Sequence, residues 1–175
     1  MSLAQTAIVT QFTFIASDRE LSCVLKDIAA FNLADGTTGP DGANLSATFQ
    51  VEYKCDNLIK IVPGDTAGYA FDDIPPQSLE LLQHVRSSLR KNRVVFSEEK
   101  VLRVSSSPVA GTLFQQQAIL RAACVRILAS YLEEGGFQIM EVDNINKAIR
   151  ILSKSPDDVL ATLQKTVKCN QGCSC

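Results

Sequence analysis

The sequence predicts an α+β fold: an antiparallel sheet with helices on one face, then a helical C-terminal part with one extra strand. Three observations predict it. Apolar and polar residues alternate with a period of two over 45–53, as in a strand with one wet face. Elsewhere apolar residues recur at three and four, as on the buried stripe of a helix. Strand and helix patterns follow one another in short blocks along 175 residues, the length of one ordinary domain.

The first strand falls at 7–16, with Ile8, Thr10, Phe12 and Phe14 on one face and Val9, Gln11 and Thr13 on the other. Ser17-Asp18-Arg19-Glu20 has the spacing of a capping box, in which Ser17 and Glu20 each reach the other's free backbone N–H. Leu21, Val24, Leu25, Ile28 and Phe31 then make the buried face of a helix ending near Leu33. Turn residues fill 34–44. Leu45, Ala47, Phe49, Val51 and Tyr53 define a second strand, 54–57 a turn, and 58–62 an antiparallel partner. A Gly-, Pro- and Asp-rich loop over 63–76 carries Tyr69 and Phe71, placed either to cover a pocket or to tuck the loop down.

Leu79, Leu82, Val85 and Leu89 mark a second helix. Residues 93–96 and 101–104 read as a hairpin turning through Ser97-Glu98-Glu99-Lys100. Leu113, Leu120, Cys124, Ile127, Leu128 and Tyr131, with three alanines between, predict a long helix over 109–134 closed by Gly135-Gly136. A strand at 137–142 follows, then a helix capped by Asp143 with Ile145, Ala148, Ile149 and Leu152 inside. Ser155-Pro156-Asp157-Asp158 opens a last helix with Val159, Leu160, Leu163 and Val167 on its buried face. One α+β domain over 1–168 is the expectation, with a sub-boundary near 105–108 and a cysteine-rich tail at 169–175.

The order over 7–104 is that of the ferredoxin-like split unit. It resembles the order in small regulatory ligand-binding modules of the ACT type, and residues 24–52 are similar to their first helix and second strand. Where those modules carry a glycine between first strand and first helix, this chain reads Ser17-Asp18-Arg19-Glu20. The resemblance is one of topology, and topology alone carries no activity.

Composition narrows the classes. With 46% hydrophobic and 21% charged residues and a net charge of -2, the chain is neither a disordered polyelectrolyte nor a strongly basic nucleic-acid binder. No apolar run approaches the roughly 18 residues of a membrane span. The first residues lack the positive charge of a secretory signal, so the expected address is cytoplasmic, where thiols stay reduced.

The most unusual motif is Cys169-x3-Cys173-x-Cys175, with Gly172 to bend the chain. Three thiolates suit zinc or another thiophilic metal, with Cys55 or His84 as a fourth ligand, and neighbouring thiols also suit thiol exchange. The spacing is not a paired Cys-x2-Cys knuckle and no second cluster exists in the sequence, so an uncommitted tail is the plainer account. Cys23 and Cys124 fall in helical patterns and read as small core residues. His84 stands alone beside an apolar stripe and reads as a partly exposed histidine.

Arg86, Arg90, Lys91 and Arg93, with Lys100 and Arg103, form the densest basic segment, fit to meet an anionic ligand or an acidic partner. Its poor aromatic content argues against nucleic acid, and cations at a helix end are also what the dipole favours. The carboxylate pairs at 72–73, 98–99, 133–134 and 157–158 sit at element boundaries, where solubility and capping account for them. The sequence thus points to a non-enzymatic binding or assembly module, homo-oligomeric through a sheet edge or the long helix. It would hold a small molecule or protein partner near 35–44 and 63–76. A thiol or metal protein acting through the tail is the alternative.

Overall fold

A computed structural model describes residues 4–34, 47–52, 57–64, 77, 79–105, 110–133 and 137–154, with single positions at 158 and 161. For 31–34, 47–52 and 110–114 the backbone alone is described. The elements are β1 (Thr6–Ala16), α1 (Asp18–Ala34), β2 (Ala47–Glu52), β3 (Asn57–Pro63), α2 (Leu79–Lys91), β4 (Phe96–Ser105), α3 (Ala110–Ala122), β5 (Ile127–Leu132), β6 (Phe137–Val142) and α4 (Ile145–Leu152). The α+β class with antiparallel pairing holds.

The described residues divide into two compact units, one within Val9–Tyr69 and Pro75–Lys100, the other within Met1–Ile8 and Val101–Cys175. In the first, the strand order is β2-β3-β1-β4, with α1 and α2 between consecutive strands in the ferredoxin-like manner. In the second, the order is β1-β4-β6-β5, the same pattern with its last strand supplied by the start of the chain. Strands β1 and β4 each give one stretch to either unit.

The first core forms where the registers put Phe12 opposite Ile61 and Phe14 opposite Ile59, and α1 and α2 cover that face with Leu21, Val24, Ile28, Leu81, Leu82, Val85 and Leu89. Burying each such side chain stabilises the fold by about 1.5–3 kcal/mol. The capping box is present: Ser17 N–H donates to Glu20 Oε2 at 2.8 Å, and Glu20 N–H to Ser17 Oγ at 3.4 Å. Leu79, expected inside, is exposed at the first turn of α2, where Leu81 takes the buried place. The second core joins Leu102, Val104 and Met140 of the sheet to Ile119 and Leu120 of α3 and Ala148, Ile151 and Leu152 of α4. Ala4 completes it, its N–H donating to Leu152 O at 3.1 Å.

Three expectations need correction. Residues 93–104 do not form a hairpin: β4 runs unbroken through Ser97-Glu98-Glu99-Lys100. That stretch holds no Gly, Pro, Asn or Asp to turn on, and its charged side chains find partners on either side of the strand instead. The chain turns earlier, at Arg93, whose φ is 59°. The long helix over 109–134 stops at Ala122. Cys124 takes the left-handed conformation at φ 54°, and Ile127–Leu132 is an edge strand on which half-buried and exposed residues alternate. No long helix is therefore there to make a subunit contact. A register shift between Ile127 and Ala129 breaks the ladder of β5, a common way of blunting an edge strand. Finally, the cap of α4 is Asn144, whose side chain accepts from Lys147 N–H at 3.0 Å. Asp143 is engaged by Arg126.

The loops at 35–44 and 65–76, Gly135-Gly136, the helix at 155–167 beyond positions 158 and 161, and the tail lie outside the described residues. Among the described residues no helix is long and apolar enough to cross a membrane.

Candidate functional site

The basic segment separates into distinct contacts. Arg86 Nε and Nη2 donate to Glu98 at 2.6 and 2.8 Å, with the guanidinium 5.8 Å from the Phe12 ring centroid. Hydrogen bonding to Arg86 holds the Glu98 carboxyl below its usual range, and the same bond raises Arg86. Glu99, on the other side of β4, accepts from Gln11 and Thr13, so the adjacent carboxylates point apart as expected. Lys91 Nζ donates to Asp27 Oδ1 at 3.0 Å, and Asn92 and Ser88 donate to Oδ2, while His84 Nε2 meets the Asp27 carbonyl at 2.7 Å. The Lys91 bond foremost keeps Asp27 below the usual carboxylate range. These contacts join α1 to α2. Arg90 and Arg93 are exposed. Tyr69, Phe71, Cys55, Cys169, Cys173 and Cys175 lie outside the described residues, and among those described no three His, Cys, Asp or Glu gather to hold a metal. Cys23 and Cys124 are exposed and not disulfide-bonded, rather than core residues.

Arg103 is the member of the segment that burial sets apart. It faces the side of β4 away from α3, opposite Ile139 on β6. Its Nε and Nη2 grip Glu133 at 2.7 and 2.9 Å, both side chains fully buried. This bidentate geometry is the strongest a carboxylate can offer a guanidinium. Glu133, expected at a wet boundary, is held there because its N–H donates to Phe137 O at 2.7 Å, closing the β5–β6 connection.

On the helix-covered face three buried amide atoms are unmatched among the described residues. Gln138 is the cross-strand partner of Val104 and so shares its face, beneath α3. Gln116 lies one turn before Ile119 and Leu120 and thus on the same stripe of α3. Gln116 is 0% and Gln138 3% exposed. Gln138 Nε2 donates to Ser130 Oγ at 2.6 Å. Gln138 Oε1 and both amide atoms of Gln116 have no partner among the described residues. Such atoms are rare in folded proteins, because each forfeits its bonds to water. Sequence reasoning passed over both residues. The signal was there: a glutamine three and four places before a buried pair on α3, and another at an inward position of β6.

No family model matches the sequence, and no curated protein matches it. Among solved structures, protein BT0572 from Bacteroides thetaiotaomicron is similar at 16% identity and TM-score 0.56, over 86% of this chain and 89% of that one. The likeness is one of fold. The regulatory subunit of aspartate kinase from Thermus flavus is similar at 9% identity and TM-score 0.45, over 95% and 99% of the two chains. The aspartokinase alpha and beta subunits stand at 8% and 0.46, over 93% and 97%.

Proposed function

We propose that the chain is a non-enzymatic binding module that holds a small ligand on the helix-covered face of the unit built from β4, β5 and β6. The observation that carries this is the set of three unpaired, buried amide atoms on Gln116 and Gln138. Each costs about 1–3 kcal/mol while unpaired, so a ligand that meets them restores bonds the fold otherwise gives up. The topology, which resembles that of regulatory ligand-binding modules of the ACT type, is consistent with binding.

Thermal unfolding of the intact chain against the free amino acids, nucleosides and simple sugars tests the proposal. At least one compound is expected to raise the melting temperature of the wild type and to leave that of Gln116→Leu unmoved. The unliganded variant should itself melt above the wild type, because an apolar side chain there has no bonds to lose. Silence across all three classes, in a wild type that unfolds cooperatively, would contradict the binding role.

A further inference from the structure

We infer that the group bound at Gln116 and Gln138 is an uncharged primary carboxamide or the equivalent edge of a urea, an inference that rests on the binding role proposed above. Two features point to it. The first is the inventory of unmet bonds: two acceptors, Gln116 Oε1 and Gln138 Oε1, and one donor group, Gln116 Nε2. A primary carboxamide matches it, its two N–H groups donating to the two oxygens and its carbonyl accepting from the nitrogen. A carboxylate brings no donor, and a hydroxyl brings only one.

The second feature is charge. Among the described residues around this face, Arg103 and Glu133 bind each other on the far side of the strands, and Arg126 binds Asp143 at the surface. Arg121 on α3 and Arg150 on α4 point to solvent. A carboxylate or ammonium placed between α3 and β6 would lose its hydration without gaining a counter-charge from these paired groups, which costs far more than a neutral amide loses. Neither glutamine has appreciable accessible surface, so the ligand enters by local opening between α3 and the sheet and is enclosed once bound.

The test follows the glutamine side-chain NH2 signals of the ¹⁵N-labelled intact chain during titration with isobutyramide, signals assigned through Gln116→Leu and Gln138→Leu. Isobutyramide should shift both signals saturably. Isobutyrate and N,N-dimethylisobutyramide should bind about tenfold more weakly or less, the worth of at least one such bond. Gln138→Leu leaves α3 intact and should lose the response as Gln116→Leu does. Equal binding of isobutyrate, or no saturable shift, would overturn the inference. So would a long-lived water on the Gln116 amide that persists through the titration. If a charged compound raises the melting temperature through Gln116 while isobutyramide does not, only the ligand class fails. If nothing binds, the binding role falls with it.

Discussion

Gln77 shows how one side chain can stand in for a strand. Continuing the β1–β3 register beyond Phe12 and Ile61 sets Thr10 opposite Pro63, which has no N–H to give. The Gln77 amide fills that gap: its Oε1 accepts from Thr10 N–H at 2.7 Å, and its Nε2 donates to Thr10 O at 2.7 Å and Pro63 O at 2.8 Å. Gln77→Leu should cost about 1–3 kcal/mol in urea unfolding, since three part-buried backbone groups lose a partner. The Arg103–Glu133 pair gives a second expectation at this scale. Glu133→Ala should cost about 3–5 kcal/mol by leaving a buried guanidinium uncompensated, whereas Arg103→Met with Glu133→Leu should be near neutral or stabilising. Calorimetry on the two variants separates a pair that stabilises from one that is merely hard to break. Residues of this kind were illegible in the sequence. Arg103 read as one more cation in a basic run, because nothing in its neighbours reveals which carboxylate, thirty places on, will share its burial.

At the scale of elements, legibility followed local chemistry. The capping box at Ser17–Glu20 and, apart from the exposed Leu25 and Leu79, the two α-helical stripes that build the first core were readable because the partners lie three or four residues apart. The α3–β5 boundary was not. Ala118, Ala122 and Ala123 before Cys124 favour helix, and Ile127, Leu128 and Tyr131 fit a helical stripe as well as a strand face. Tertiary pairing decided it: Ser130 and Tyr131 align with Met140 and Ile139 of β6. Ending α3 requires Cys124 at φ 54°, a conformation that strains any residue with a Cβ. Cys124→Gly is therefore expected to raise stability by about 1 kcal/mol, read from the urea midpoint at unchanged slope. A loss of stability would mean that the thiol's contacts outweigh its backbone strain.

For the whole molecule, the chain order and the order of construction differ. The sequence placed a ferredoxin-like unit in the first part, and that unit is there, but its neighbour repeats the same pattern by borrowing the start of the chain as its last strand. No local signal marks such a loan, since 4–8 looks like the opening of the strand that it continues into. The consequence is measurable. Deleting residues 1–8 removes Ala4 from the second core, together with the Ala4–Leu152 and Gln5–Ser105 hydrogen bonds. Hydrogen exchange should then accelerate in β6 and α4 and leave α1 and α2 protected. Uniform acceleration would contradict the division into units. The amides of Gln116 and Gln138 sit in that second unit, where the ligand is proposed to bind. Native mass spectrometry of the intact chain, purified without denaturant, would detect that ligand. An added small-molecule mass is expected on the wild type, lost on unfolding and missing from Gln116→Leu. The same bare mass for both proteins, unchanged when carboxamides are supplied, would contradict it.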